Sequence, residues 1–272
     1  NRRLFLPVGT TFVNQLAFSP DGRQLFAISD DATIRVWDSE SGEVVTEVTH
    51  PDQVRLRRIV FSPDAKYFAV ATNENAAALY DAASFELIRR FSGPGLRLDR
   101  IQFSFDAKKL ISYGVFDPSP IVVWDIESGE VALRLEVAGK LGVAMHPNQP
   151  EALVWSNEEG AVIWRYEENV RIPVTDDRIS SGAFSPDGNH FYLGSWAPAV
   201  YEVTKFEDWP ERLDQPKVTR WTRDGLQVGE SIDFPNEAVY QIRVSEQGAS
   251  LINALRWNQV DRYDIATHEL LG

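Results

Sequence analysis

A short turn-forming element returns along this chain at a nearly constant spacing. In its clearest copy it reads Phe18-Ser19-Pro20-Asp21-Gly22, an apolar residue followed by a polar turn. The copies, some of them weak, begin at Phe18, Phe61, Phe103, Met145, Phe184 and Val244. Successive copies are 43, 42, 42, 39 and 60 residues apart. A period of this length is typical of a repeat protein in which each copy forms one small structural unit.

A second marker recurs in phase with the first and supports the same period. It is an aromatic residue, usually followed by Asp, and its copies are Trp37-Asp38, Tyr80-Asp81, Trp124-Asp125, Trp221-Thr222 and Tyr263-Asp264. Proline presets φ in the Ser-Pro-Asp-Gly turn and glycine accepts the positive φ that closes it, so each element predicts a hairpin. Each unit is predicted to hold four short antiparallel strands. Such units bury both faces only when they stack radially against their neighbours.

Composition limits the classes of partner and chemistry. The net charge of −13 disfavours nucleic acid and anionic membranes, so we expect neither as a partner. The absence of cysteine excludes disulfides and thiolate metal sites. The sequence shows neither a signal-peptide pattern nor an apolar run long enough to span a bilayer, and we expect a cytoplasmic protein.

With these two markers the chain resembles the WD-repeat (WD40) family, whose blades carry a Ser-Pro-Asp-Gly turn and end their third strand in Trp-Asp. The resemblance covers essentially the whole chain and implies an all-β fold, a β-propeller of six four-stranded blades, with seven as the alternative. We expect a single domain, 1–272, with a closing strand near residues 3–7. The predicted units are 13–50, 54–91, 98–136, 141–174, 179–234 and 239–272.

The resemblance also implies a polar network in each blade. Ser29, Asp31 and Trp37 match three of its four positions in the first unit. His50 is the candidate for the histidine of the second unit. In the fourth unit either Trp164 or Tyr166 takes the place of the tryptophan.

No motif in the sequence predicts catalysis. The four histidines fall in four different units without metalloprotease spacing, and the acidic pairs lack the alternating spacing of a calcium loop. No nucleophile elbow, phosphate-binding loop or dinucleotide fingerprint is present in the sequence. We therefore expect a non-catalytic protein without cofactor or bound metal. The alternative is a metal-assisted, lactonase-like hydrolase with carboxylates in the central channel.

Binding is predicted on one face of the propeller. Asn14-Gln15 interrupts the polarity alternation of its strand, as a β-bulge does, and family members usually dock peptides near this end of the blades. An insertion at about 196–216, between the second and third strands of the fifth unit, adds aromatic residues to the same face. The predicted partner-binding residues are Asn14, Asp30, Arg57, Asn73, Arg100, Phe116, Trp196, Trp209 and Tyr240.

The expected partner is a protein or peptide that docks on a scaffold. Arg57 and Arg100 either face an acidic or phosphorylated segment of that partner or pair with local carboxylates. The sequence leaves both interpretations open. For Arg89 and Arg90 it favours local pairing on a fourth strand.

Overall fold

The computed structural model describes residues 11–93, 98–114, 120–139, 141–195, 217–233, 239, 241–245, 250–254, 260–265, 267, 269 and 271. Within these residues the regular secondary structure is entirely β-strand. Contacts divide the chain into two compact parts, Asn1–Glu136 and Val137–Gly272, each larger than one repeat. From here on, these two parts are called the first unit and the second unit. Each unit is built from antiparallel sheets whose strands follow one another along the chain.

The first unit contains three four-stranded sheets. The first sheet has β1 at Val13–Phe18, β2 at Gln24–Ser29, β3 at Thr33–Asp38 and β4 at Val44–Thr49. The second has β5 at Leu56–Phe61, β6 at Tyr67–Thr72, β7 at Ala76–Asp81 and β8 at Leu87–Ser92. The third has β9 at Arg100–Phe103, β10 at Lys109–Tyr113, β11 at Ile121–Asp125 and β12 at Val131–Leu135.

The second unit contains two four-stranded sheets and one three-stranded sheet. The fourth sheet has β13 at Leu141–Met145, β14 at Glu151–Ser156, β15 at Gly160–Arg165 and β16 at Val170–Thr175. The fifth has β17 at Ile179–Phe184, β18 at His190–Ser195, β19 at Lys217–Thr222 and β20 at Ile232–Asp233. The sixth has β21 at Gln241–Val244, β22 at Ser250–Ala254 and β23 at Val260–Asp264.

The end of the chain continues the sixth sheet. The main-chain N–H of Asp264 donates to the oxygen of Glu269 at 2.9 Å, as Asp38 does to Glu43 in the first sheet. Leu271 then donates to the oxygen of Arg262. These are the bonds with which a fourth strand begins, so Glu269 and Leu271 lie in that place beside β23. The predicted closing strand, 3–7, lies outside the described residues, and the choice between six and seven blades stays a prediction.

The repeated turn forms the predicted hairpin between the first two strands of a sheet. In the first sheet the hydroxyl of Ser19 donates to a carboxylate oxygen of Asp21 at 2.6 Å, and Gly22 has a φ of 71°. The second sheet repeats this bond between Ser62 and Asp64 at 2.7 Å. The aspartates of the repeated element therefore serve the turns.

The hydrophobic core lies between neighbouring sheets. Phe26, Ile28 and Val36 of the first sheet form one buried cluster with Leu56 and Ile59 of the second. The inner strands β2 and β3 are mostly buried, whereas β4 alternates between exposed and half-buried residues because it is the outer strand. Apolar burial between sheets is therefore the main source of stability.

The polar network implied by the resemblance is only partly present. In the first sheet Arg35 donates to Ser29 and Asp31, and the indole N–H of Trp37 has no hydrogen-bond partner among the described residues. The third sheet keeps one network bond, from the indole N–H of Trp124 to Ser112 at 2.7 Å. The expectation for Ser29, Asp31 and Trp37 is thus corrected, because the counterpart of Ser112 in the first sheet is Ala27, which has no hydroxyl to accept from the Trp37 indole.

Strand register identifies the tryptophan of the fourth sheet. Trp164 lies opposite Ala152, as Trp37 lies opposite Leu25 in the first sheet. Trp164 therefore takes the position of the repeated aromatic residue. Tyr166 lies two residues further on, buried beside the Trp164 ring.

Candidate partner-binding face

Bulges recur near the start of the first strand in several sheets. Register shifts occur between Val13 and Gln15, between Leu56 and Arg58, and between Ile179 and Ser181. The residue inside each bulge is therefore Asn14, Arg57 or Ser180. A bulge leaves its extra residue outside the ladder and re-aims its side chain.

Asn14 links the first sheet to the second. Its side-chain amide donates to a carboxylate oxygen of Asp30 at 2.7 Å and to the main-chain oxygen of Leu56 at 2.8 Å. The other carboxylate oxygen of Asp30 lies 3.8 Å from the guanidinium of Arg55, whose side chain is 60% exposed. A short polar chain therefore crosses the rim between the two sheets.

Arg57 and Asn73 lie beside this polar chain. Arg57 follows Leu56 and is exposed, and it forms no ion pair with any residue that the structure describes. The main-chain N–H of Asn73 donates to the main-chain oxygen of Arg55 at 3.0 Å. This bond holds the exposed Asn73 next to the start of β5. We call the rim formed by Asn14, Asp30, Arg55, Arg57 and Asn73 the bulge face.

Asp31, the neighbour of Asp30, is already engaged within its own sheet. Burial opposes its ionisation, but hydrogen bonds from Arg35 and Thr11 hold the pKa of Asp31 below its usual value. The Arg35 guanidinium lies 2.7 Å from the carboxylate. Of this acidic pair, Asp30 is therefore the residue whose contacts, to Asn14 and Arg55, lie on the bulge face.

Arg100 lies at the same end of the third sheet, displaced by one residue from the bulge position. It pairs with Tyr113 in the strand register, which corresponds to Gln15 and Arg58 rather than to Arg57. Its side chain is half-buried. The structure therefore brings Asn14, Asp30, Arg57 and Asn73 together and leaves Arg100 one sheet away.

The remaining predicted residues lie outside the described part of the chain. They are Phe116, Trp196, Trp209 and Tyr240. The second strand of the fifth sheet ends at Ser195 and the third begins at Lys217, so the insertion falls between those two strands as predicted.

Two arginines outside the bulge face are held locally. Arg90 on the outer strand β8 pairs with Asp52 at 3.0 Å. The Arg89 guanidinium donates to the main-chain oxygens of Glu127 and Ser128, at 2.8 and 2.9 Å. Both arginines lie on a fourth strand as predicted, and Arg90 pairs with a carboxylate, whereas Arg89 bonds main-chain oxygens in a turn of the third sheet.

Sequence reasoning missed the structural role of the bulge residues and their neighbours. The Gln15 side chain donates to the oxygen of Ile59 and accepts from its N–H, at 3.2 and 3.0 Å. Ser180 donates to the main-chain oxygen of Val239, the same kind of bond that Asn14 makes with Leu56. Aligning the units in sequence already places Ser180 at the position of Asn14, but the acceptor of its bond lies 59 residues further along the chain.

The described residues contain no group of three or more His, Cys, Asp or Glu side chains arranged to hold a metal ion. Among the same residues, no helix has the length and apolar character needed to cross a membrane. The hydrolase alternative therefore gains no support from the described part of the chain.

Comparison with known proteins agrees with the repeat pattern. The family model described as "WD domain, G-beta repeat" matches residues 5–38. The chain is 28% identical over 172 residues to target of rapamycin complex subunit wat1 of Schizosaccharomyces pombe, covering 61% of this chain and 54% of that protein.

Two further relatives match this chain, one over a longer stretch at lower identity and one over a shorter stretch at higher identity. Eukaryotic translation initiation factor 3 subunit I of Emericella nidulans is 26% identical over 205 residues, covering 67% of this chain and 59% of that protein. WD repeat, SAM and U-box domain-containing protein 1 of Danio rerio is 34% identical over 77 residues, covering 28% of this chain and 16% of that protein. The chain thus spans about half the length of wat1 and less than two thirds of either other relative.

The comparisons, the in-phase turn and aromatic markers, and the successive antiparallel four-stranded sheets all agree. Those sheets are the blades of a WD40-type β-propeller. In its repeat, its sheets and the matched stretches, the chain is similar to the WD-repeat (WD40) family.

Proposed function

We propose that this chain is a non-catalytic scaffold that binds a protein or peptide through the bulge face. Two of its relatives are named as subunits of larger assemblies, the target of rapamycin complex and eukaryotic translation initiation factor 3. A role as one subunit among protein partners is therefore the function that fits the family. Cytoplasmic location stays a prediction.

The observation that carries the proposal is the exposed Arg57 beside an ordered polar rim. Asn14, Asp30 and Arg55 hold one another at 2.7 to 3.8 Å, so the rim is preorganised. Arg57 stands next to them with its guanidinium available to a ligand. Preorganised polar groups with one uncommitted cation suit an acidic or phosphorylated segment, because a guanidinium binds carboxylate and phosphate bidentately.

Arg100, Phe116, Trp196, Trp209 and Tyr240 remain proposed partner-binding residues. Arg100 would extend the positive charge towards the third blade. Each aromatic residue would supply an apolar anchor for the partner, as aromatic residues do at protein interfaces.

The test compares capture of a partner by the wild-type chain and by Arg57→Glu, with mass spectrometry to identify what is lost. Arg171→Glu is the matched control, since Arg171 is an exposed arginine on the outer strand β16 and the change in charge is the same. We expect Arg57→Glu and Tyr240→Ala to lose the partner while the melting temperature stays unchanged. Capture that survives both substitutions would refute the site.

Whether the bound segment is acidic or phosphorylated, as proposed, is tested on the captured partner itself. Fluorescence polarisation measures binding of its contacting segment before and after phosphatase treatment, or after Glu→Gln and Asp→Asn substitution. A fall in affinity supports the proposed pairing with Arg57. Unchanged affinity would contradict that pairing and show that the partner docks without using acidic or phosphorylated groups.

A further inference from the structure

A groove opens between the first and second blades at the end opposite the bulge face. It has a volume of about 450 Å³ and lies beside the Ser19–Asp21 turn. The half-buried Phe61 supplies aromatic surface, and Val45 and Ala82 add aliphatic surface, whereas Phe26 is only 1% exposed. The carboxyl groups of Asp21 and Asp38 stand among the lining residues. We call this cavity the Ala82 groove.

The groove exists because the residue after the third strand is short in the second blade. Ala82 follows the Tyr80-Asp81 marker directly. The residues at the same position in the later blades are Ile126, Tyr166, Arg223 and Ile265. Ile126 and Ile265 pack against hydrophobic clusters with their neighbouring blades. The side chain of Ala82 ends at its Cβ and therefore leaves the space between the two blades open.

One of these counterparts shows what the equivalent groove accepts. Arg223 of the fifth blade reaches across to the fourth and donates to Glu151 at 2.9 and 2.8 Å. Glu151 occupies the register position that Gln24 has in the first blade, opposite Arg165 as Gln24 is opposite Asp38. In the second unit, therefore, the chain fills this inter-blade position with its own guanidinium.

The Ala82 groove also has a carboxylate that lacks the partner found elsewhere. In the third blade Asp125 pairs with Lys109 at 2.7 Å. The corresponding pair in the first blade is Asp38 and Gln24, so the ammonium group is absent there. One oxygen of Asp38 accepts main-chain N–H groups from Ser41 and Glu40, at 2.7 and 3.0 Å.

The charge at the groove is therefore only partly compensated. Arg23 is the cation among the groove-lining residues, and its side chain is 85% exposed and 3.9 Å from Asp21. The N–H groups of Ser41 and Glu40 hold the pKa of Asp38 below its usual value. Asp38 is consequently ionised at neutral pH and lines a cavity that has both polar and apolar walls.

We propose that the Ala82 groove binds an arginine side chain of a partner protein. The aliphatic stem would lie against Phe61 and Val45, and the guanidinium would pair with Asp38. Arginine suits such a site because its stem is apolar, its head is planar and permanently charged, and it stacks on aromatic rings. This contact is independent of the bulge face, which lies at the opposite end of the strands.

The experiment uses N-acetyl-arginine amide as the probe and N-acetyl-citrulline amide as its uncharged isostere. Both are titrated into the ¹⁵N-labelled chain, and the amide signals of Ala82, Ala83 and Ser41 are followed. We expect the arginine probe to shift these signals with an affinity in the millimolar range, roughly −4 kcal/mol. The citrulline probe is expected to bind roughly fivefold more weakly or not at all.

Two variants test the geometry. Ala82→Arg places a guanidinium where Arg223 lies in the fifth blade, and should abolish the probe-induced shifts. Asp38→Asn keeps the shape of the groove and should weaken the arginine probe roughly fivefold. Because it replaces the half-buried carboxyl group by an amide of the same size, it keeps the proposal testable even if Ala82→Arg misfolds.

Arg57→Glu separates this proposal from the proposed function. It should remove the bulge-face partner and leave the shifts at Ala82 unchanged. Equal binding of citrulline and arginine, or full binding by Asp38→Asn, would overturn the assignment of an arginine pocket. Shifts that Arg57→Glu removes would show that the probe binds at the bulge face instead.

Discussion

The side-chain amide of Asn14 donates to the main-chain oxygen of Leu56 at 2.8 Å and so joins two neighbouring blades. In the second unit Ser180 makes the same connection to Val239. Both donors are bulge residues, and the acceptor Leu56 immediately precedes the bulge of its own blade. The bulge therefore aims a polar side chain at a main-chain oxygen of the next blade.

Asn14→Ala should consequently destabilise the fold as well as alter the bulge face. It removes two hydrogen bonds and leaves the Leu56 oxygen without this donor, so the free energy of unfolding should fall by about 1–2 kcal/mol. Urea denaturation measures the change. Asn73→Ala is the matched control, because Asn73 is exposed on the same face and only its main chain is bonded there. An equal loss for both variants would contradict the role of the Asn14 bond.

The strands and turns of this fold could be predicted because their signals are local. Ser19 and Asp21 bond across two residues, and the break at Asn14-Gln15 already indicates the bulge. The polar network was predicted less well. Ser29 and Asp31 bond to Arg35 instead, and Ala27 stands where the third sheet has Ser112 as the acceptor, a difference that appears only once the strands are in register.

Contacts between blades could not be predicted from the sequence pattern of a single repeat. Asn14 and Leu56 are 42 residues apart, and Glu151 and Arg223 are 72 residues apart. Each contact requires the stagger of one blade against the next, which is set by core packing rather than by any turn. The Ala82 groove follows from the same relationship, since a short side chain is informative only after the blades are aligned.

Glu151 should be a stability residue of the second unit. Its side chain is 3% exposed and accepts from both Arg165 and Arg223 at 2.8–2.9 Å. Glu151→Ala removes a buried acceptor from two arginines that are themselves partly hydrated, so we expect a loss of about 2 kcal/mol. Thermal unfolding measures it. Glu168→Ala, at an exposed position, should change stability by less than about 0.5 kcal/mol, and an effect as large as that of Glu151→Ala would argue against the buried pair.

Ala65→Gly should stabilise the second blade. Ala65 has a φ of 57°, in the left-handed region, whereas the first and fifth blades have Gly22 and Gly188 at the same turn position. The strain relieved is about 1–2 kcal/mol and the entropic cost of glycine about 0.5–1 kcal/mol, so a net gain near 0.5 kcal/mol is expected. Ala83→Gly serves as the control: its exposed alanine has no positive φ, and the substitution should destabilise. A loss of stability in both variants would contradict strain at Ala65.

The stability of the second unit should fall as the pH drops below about 6.5. Burial is the main cause that lowers the pKa of His146, and it outweighs the opposing effects of the Gly188 hydrogen bond and the Glu151 charge. Its Nε2 donates to the oxygen of Gly188 at 3.0 Å, and its Nδ1 accepts from the N–H of Asn148. The folded state therefore holds a neutral ring that has no place for a second proton. The unfolded state binds that proton below its ordinary pKa of about 6.5, so it gains stability relative to the folded state as pH falls.

Urea midpoints at pH 7.5 and 5.5 test this dependence. The wild-type midpoint should be lower at pH 5.5, and the decrease should be smaller in His146→Ser. Serine is the matched replacement, because the other blades have it at this turn position, as in Ser62 and Ser185. His50 and His190 also have a lowered pKa because of burial, so part of the decrease should persist in the variant. An identical decrease in wild type and His146→Ser would show that this ring does not contribute, since its titration would then be the same in the folded and unfolded chain.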